Sequence, residues 1–151
     1  MKSLEKLLKK KKYIKIKLQK IATNHLELKA KINGVKGSFI LDTGASNSCV
    51  GIDAIDFFKL DAKDSETKAA GAGATDMETK QSENNSLKIG SWKTNKCHLV
   101  LFNLSHVNTA LMQHKAKEVH GIIGADILQK GKAFIDYNKN VLYLKKAKNN
   151  N

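Results

Sequence analysis

The chain has 151 residues, a length that fits one compact domain better than two. Hydrophobic residues make up 41% and charged residues 27%, so the composition argues against both a disordered chain and a membrane protein. The 27 basic and 14 acidic residues give a net charge of +13, and every basic residue is a lysine. Because lysine lacks the planar guanidinium of arginine, this charge does not predict sequence-specific recognition of nucleic acid.

The cysteine and histidine patterns predict neither a disulfide scaffold nor a metal site. Cys49 and Cys97 are far apart and form no Cys-x-x-Cys motif, which favours two small buried side chains in a reducing compartment. None of the five histidines lies four residues from another, the spacing of a helical zinc pair. No signal peptide or membrane span is visible, so we expect a cytoplasmic protein.

The first 24 residues are interpreted as a basic N-terminal extension. Residues 1–20 contain nine lysines and one glutamate. Ser3 is expected to cap a helix that continues to about Lys12, and the alternation of apolar and polar residues from Tyr13 onward predicts a strand. This basic segment is interpreted mainly as a solvated surface, with weak binding to an anionic surface as the alternative.

Residues 25–146 are interpreted as one domain, followed by a disordered asparagine-rich tail at 147–151. Two alternating segments, 26–32 and 35–41, flank Asn33-Gly34, which is a strong signal for a hairpin turn. The second strand leads directly into Asp42-Thr43-Gly44. A strand at 49–52 and a short helix from Asp53 to Leu60 are predicted to follow.

The second half of the chain predicts further short strands. Residues 61–86 are small and polar, which predicts a mobile loop or a close approach of backbone to another group. The later segments predict a hairpin over 87–104, a loop with one helical turn over 105–118, a strand over 121–124, a helix over 126–130 and a closing hairpin over 134–144. The fold class is therefore mainly β, with one or two short helices.

Asp42 is the strongest candidate for a chemical role. It follows Phe39, Ile40 and Leu41 directly, and a strand that places a carboxylate in desolvated surroundings is costly. Thr43 supplies a hydroxyl, and Gly44 permits a sharp turn with close backbone approach to a ligand. Taken alone, the tripeptide is better explained as an aspartate that begins a turn.

Two further segments of the sequence accompany the Asp-Thr-Gly motif. Gly124, at the end of Ile122-Ile123-Gly124, lies 82 residues after Asp42, and the glycine- and alanine-rich segment 69–74 lies between them. With the closing hairpin, this ordered set resembles the retropepsin-like aspartic peptidases, in particular their single-domain cellular and bacterial members. The resemblance covers about residues 25–145.

The resemblance implies a retropepsin-like β-barrel with one Asp-Thr-Gly per chain, acting on a peptide or protein substrate as a homodimer. The mechanism it implies requires no metal and no organic cofactor. Asp42 matches the catalytic aspartate, which a second chain's Asp42 would complete. Thr43, with Gly44 in the active-site loop, matches the threonine that locks the two loops together. Segment 70–74 is similar to the glycine-rich tip of the flap that folds over the substrate. The substrate-binding residues implied are Gly44, Ala45, Ser46, Gly71, Ala72, Gly73 and Ile123.

Two departures from the family pattern affect the site. Retroviral members pair an acidic residue with an arginine at the places of Ser46 and Ala125, so that ion pair cannot form here. Ala45 has no hydroxyl with which to hydrogen-bond the catalytic carboxylate, so we expect a pH optimum at roughly pH 5–6.5 rather than a strongly acidic one. The alternatives to an endopeptidase are a catalytically weak module of the same fold that binds peptides or proteins, and a basic adaptor for nucleic acid or membrane.

Overall fold

The computed structural model describes residues 3–64, 69–71, 74–77 and 79–147. Within these ranges the helices are α1 Leu4–Lys10, α2 Ser105–Gln113 and α3 Ala125–Lys130, with a 3-10 turn at Ile52–Ala54. The strands are β1 Tyr13–Lys17, β2 Gln19–Lys20, β3 Leu26–Ile32, β4 Val35–Leu41, β5 Cys49–Gly51, β6 Lys63–Asp64, β7 Ala69–Gly71, β8 Ala74–Met77, β9 Lys80–Ile89, β10 Trp92–Phe102, β11 Gly121–Ile123, β12 Phe134–Asp136 and β13 Val141–Lys145. The predictions on Ala72, Gly73 and tail residues 148–151 lie outside the described residues.

Six strands form a closed barrel, which confirms the predicted fold class. The strand order is β3, β4, β11, β5, β10, β9, and a pairing between β3 and β9 returns to the start. Strand β11 runs parallel to β4, and β5 runs parallel to β10, whereas the other four pairings are antiparallel. The barrel is filled by large side chains that are almost completely buried, among them Ile32, Phe39, Phe58, Leu87, Ile89, Leu99, Leu101 and Ile123.

The predicted Asn33-Gly34 hairpin is present and joins β3 to β4. Asn33 has φ 51° and Gly34 has φ 84°, the left-handed values that a two-residue turn of this kind requires. The Asn33 side chain also connects the turn to the rest of the barrel. Its Nδ2 donates to the backbone oxygen of Phe58 at 2.9 Å, and its Oδ1 accepts from the backbone nitrogen of Ser86 at 3.0 Å.

A second sheet joins the two ends of the chain. Strand β1 pairs with β13 over five residues, and β13 pairs with β12, the other strand of the predicted closing hairpin. Ser3 caps α1 as predicted, because its Oγ accepts from the backbone nitrogen of Lys6 at 3.3 Å. Trp92, at the start of β10, donates to the backbone oxygen of Lys145 at 3.1 Å and so links this sheet to the barrel.

Three segments differ from the sequence predictions. Residues 53–60 form the 3-10 turn and further turns rather than one helix, whereas α2 is a helix of nine residues rather than a single turn. Strand β9 begins at Lys80, inside the segment 61–86 for which the sequence predicted a mobile loop or a close backbone approach. Its buried Ser82 and Asn85 hydrogen-bond each other at 3.0 Å, which lets polar side chains occupy the interior. None of the helices in the described ranges has the length and apolar character to span a bilayer.

Candidate active site

Asp42 is the first residue after β4 and is held by the neighbouring strand. Its backbone nitrogen donates to the Ile123 oxygen at 3.0 Å, which extends the parallel pairing of β4 with β11 by one step. The carboxylate is half-buried, and its Oδ1 accepts from the backbone nitrogen of Gly44 at 2.9 Å. A Cβ at position 44 would lie 3.3 Å from the same oxygen, so a larger residue would crowd the carboxylate.

The loop after Asp42 packs closely against the start of α3, and one of the contacts is a backbone hydrogen bond. The Ala45 oxygen accepts from the Ala125 nitrogen at 2.7 Å. A Cβ on Gly124 would lie 2.6 Å from that Ala45 oxygen, so only glycine allows the two segments to approach this closely. The spacing between the Asp42 and Gly124 motifs in the sequence therefore corresponds to a direct contact in the fold.

Ser48 and Asp126 form a buried polar connection beneath the same loop. Asp126 Oδ1 accepts from the Ser48 backbone nitrogen at 3.0 Å and from Ser48 Oγ at 2.7 Å. Ser48 Oγ in turn accepts from the Gly124 nitrogen at 2.8 Å, and Ser48 is fully buried. These bonds tie the two segments together although the retroviral-type ion pair is missing at Ser46 and Ala125. Sequence reasoning missed Ser48, because nothing in its neighbours distinguishes it from a surface serine.

The remaining predicted site residues differ in their exposure to solvent and in their position in the fold. Thr43, Gly44 and Ser46 are exposed, and Ala45 is half-buried. Ile123 is fully buried, whereas its neighbour Ile122 lines a cleft that also includes Asp42. Gly71 ends β7, which pairs with β8 in a separate two-stranded sheet.

The cleft beside Asp42 has a volume of about 630 Å³. Its apolar lining comes from the strand residues Ile40 and Ile122 and from Val107, Ala110 and Leu111 of α2. Three histidines, His25, His106 and His114, also line it. The Nε2 atom of His106 is enclosed and, within the described residues, has no hydrogen-bond partner. Helix α2, which the sequence did not predict at this length, therefore contributes a wall of the cleft.

Neither a metal nor a cysteine nucleophile is indicated at this site. The described residues contain no group of three or more histidine, cysteine or acidic side chains that could hold a metal ion. Burial raises the pKa of Cys49 to about 12 and that of Cys97 to about 12. Both thiols therefore stay protonated at neutral pH, whereas nucleophilic attack requires a thiolate.

A closed β-barrel with an Asp-Thr-Gly loop backed by a strand that is followed directly by glycine defines the architecture of a retropepsin-like aspartic protease. The family profile described as "Aspartyl protease" matches residues 28–127, which is more than half of the chain. The chain therefore belongs to the aspartyl protease family. No curated protein sequence matches it.

Solved structures share this fold at low sequence identity. A retropepsin-like aspartic protease from Rickettsia conorii is 20% identical, with a TM-score of 0.59, covering 89% of this chain and 90% of that one. The EIAV protease, solved with the inhibitor HBY-793, is 20% identical, with a TM-score of 0.55 and coverage of 73% and 90%. The retroviral protease-like domain of Ddi1 from Leishmania major is 15% identical, with a TM-score of 0.53 and coverage of 84% and 97%.

Proposed function

We propose that this protein is an aspartic endopeptidase that acts as a homodimer, with Asp42 of each chain supplying one of two catalytic carboxylates. The observation that carries the proposal is the setting of Asp42 at the end of β4. Its carboxylate lines an open cleft and receives a hydrogen bond from Gly44, in a loop that β11 and α3 hold in place. Family membership supports the same function.

The reaction follows from two carboxylates that face each other. When they are about 3 Å apart they do not both ionise, so they share one proton. The ionised carboxylate removes a proton from water, and the water oxygen attacks the peptide carbonyl carbon. The protonated carboxyl donates to the carbonyl oxygen as negative charge develops there. The C–N bond then breaks, and the amine leaves with the proton that the first carboxylate removed from the water.

A second chain would supply the other catalytic carboxylate, because Asp126, the acidic residue that closely follows Gly124, is directed elsewhere. Asp126 uses its Oδ1 to accept from the nitrogens of Ser48 and Ile127 and from Ser48 Oγ. It is therefore engaged in holding the loop rather than available beside Asp42. A symmetric copy would bring a second Asp42, and Thr43, which is exposed, would then contact the partner's loop.

The cleft is suited to a peptide side chain of large apolar type. Ile40 and Ile122 come from adjacent strands that end at the Asp42 loop, and α2 adds the opposing apolar surface. Burial of one such side chain contributes roughly 1.5–3 kcal/mol to substrate binding. We therefore expect peptide or protein substrates with large apolar residues near the cleaved bond. The strands β7 and β8 flank Ala72 and Gly73 in the sequence and are proposed to belong to the flap.

The function is tested by replacing Asp42 with asparagine. Asp42→Asn keeps an oxygen that accepts from Gly44 but removes the base for the water and the shared proton. We expect mass spectrometry of a digested peptide library to show products with the wild type and none with Asp42→Asn. The variant should retain the circular dichroism spectrum and melting temperature of the wild type. Product formation near the wild-type rate by the purified variant would reject the assignment, and peptide binding without hydrolysis by the wild type would favour a binding module.

A further inference from the structure

Four lysines from four adjacent strands lie side by side across one end of the barrel. Lys31 of β3 is directly opposite Lys36 of β4 on one side and Lys88 of β9 on the other. Lys88 is in turn directly opposite Lys93 of β10. All four are exposed, so the register produces one continuous outward-facing lysine row, Lys36-Lys31-Lys88-Lys93.

The lysine row is expected to lower the stability of the barrel, because it places four positive charges next to one another. Like charges directly opposite each other on neighbouring strands are destabilising. Within the described ranges the ion pairs are Lys15 with Glu5 and Lys29 with Glu27, so no carboxylate there neutralises a lysine of the row. A depression of about 210 Å³ opens between the lysines of β3, β4 and β9 and is bordered by Gly90. The arrangement offers concentrated positive charge around a concave surface.

The lysine row lies far from Asp42. Lys36 is near the beginning of β4 and Asp42 directly follows its end, so the two are separated by six residues of extended chain, or about 20 Å. A partner bound to the row would therefore leave the cleft accessible. Strand β1 passes beside Gly90, at the border of the depression, because a Cβ on Gly90 would lie 3.5 Å from the side chain of Ile16.

We propose that the lysine row binds the sugar-phosphate backbone of single-stranded nucleic acid without sequence preference. Four strands at about 4.8 Å spacing give a row about 14 Å long and one side chain wide, which fits a single linear polyanion. Lysine ammonium groups recognise phosphates as point charges and do not read bases as an arginine fork does.

An anionic membrane fits this end of the barrel less well than a nucleic acid strand. The turns at this end, Asn33-Gly34 and Gly90-Ser91, carry no large apolar side chain that could insert between lipids. The row also crosses several strands of a barrel, so it curves around the surface instead of lying in one plane. A flexible strand can follow that curve, whereas a flat surface contacts only part of it.

The test uses the full chain and a fluorescently labelled oligodeoxythymidylate, with binding measured by anisotropy over a series of salt concentrations. The row variant is Lys31→Gln, Lys36→Gln, Lys88→Gln and Lys93→Gln combined. The matched control removes the same charge from four exposed lysines elsewhere, Lys63, Lys117, Lys130 and Lys139. Each phosphate contact contributes about 0.7 to the slope of log K against log salt for a single strand. We expect the row variant to lower that slope by about 3 and the affinity by at least about tenfold, and the control to lower the slope by less than about 1.

Two further measurements decide between the proposal and its competitors. Replacing the four row lysines by arginine should retain binding, because the charge is kept. In the wild type, the oligonucleotide should protect the row lysines from acetylation while the control lysines remain reactive, a readout that does not depend on a variant folding. Equal losses in the row and control variants, or unprotected row lysines, would overturn the proposal. Tighter binding to phosphatidylserine vesicles than to the oligonucleotide, lost in the row variant, would overturn it in favour of a membrane.

Discussion

At the residue scale, Asp126 is central because one oxygen organises three donors beneath the candidate active site. Asp126→Ala would leave the buried nitrogen and hydroxyl of Ser48 without their acceptor, at a cost of about 1–3 kcal/mol. The Asp42 loop would lose a support, so kcat should fall more than KM changes. Denaturant unfolding and steady-state kinetics measure the two effects.

Asp126→Asn is the matched control for that prediction, because its amide oxygen can still accept from all three donors. We expect it to retain most of the stability and activity that Asp126→Ala loses. If asparagine were as damaging as alanine, the negative charge itself would be needed. If alanine had no effect, the connection would be irrelevant to the site.

The two buried thiols predict a stability change at alkaline pH. Burial raises the pKa of both from an ordinary 9.0 to about 12, so between those values the folded protein keeps protons that the unfolded chain releases. Stability from this source is fully present below about pH 9 and is lost as pH rises toward 12. Urea unfolding should show a smaller loss above pH 9 in Cys49→Ala/Cys97→Ala than in the wild type. A thiol reagent that labels the native protein rapidly at neutral pH would contradict the burial argument.

At the element scale, β11 is the strand on which the site depends, because it is inserted between β4 and β5. A Cβ at Gly121 would lie 2.1 Å from the Cys49 oxygen and 3.1 Å from the Phe39 ring. Gly121→Ala should therefore force the strands apart and destabilise the fold by about 3 kcal/mol.

Gly34→Ala provides the control for the Gly121 variant. Gly34 has φ 84° and open space around it, so alanine there adds backbone strain of about 1 kcal/mol and no clash. Thermal unfolding should show a clearly larger loss of stability in Gly121→Ala than in Gly34→Ala. Activity assays should show that Gly121→Ala loses activity and that Gly34→Ala keeps it. Equal effects would show that the packing around β11 adapts to a methyl group.

The same elements show what the sequence allowed us to predict. Asn33-Gly34 and the alternating strands beside it are local signals, and the fold follows them. Strand β9 could not be predicted over 80–86, because its buried positions include the polar residues Ser82 and Asn85. Their burial depends on hydrogen bonds with each other and with Cys97 on the next strand, which the local sequence does not reveal. The length of α2 was missed for a related reason, since its buried face is defined by strands distant in sequence. The candidate catalytic Asp42 was identified from its motif, whereas Ser48 depends on a contact with residue 126.

At the scale of the whole molecule, the proposed activity requires two chains. Specific activity should therefore fall on dilution once the concentration drops below the dimer dissociation constant. Thr43→Val removes a hydroxyl from the exposed loop and should shift that fall to higher concentration, whereas Thr43→Ser, which keeps the hydroxyl, should not. Activity assays across concentrations, combined with analytical ultracentrifugation, measure both effects. A fully active monomer would reject the dimer and require a second carboxylate from the same chain.

The pairing of Asp42 with Ile123 also has a consequence for the order of events during synthesis. The nitrogen of Asp42 and the oxygen of Ala45 find their partners only in residues 123 and 125, which a ribosome produces long after the Asp-Thr-Gly loop has emerged. Until then, the loop has neither its strand nor its glycine support. A growing polypeptide would therefore carry its candidate catalytic aspartate without the strand and the glycine that hold the Asp-Thr-Gly loop in place. Competence to cleave would therefore arrive only after residues 123–125 have been translated.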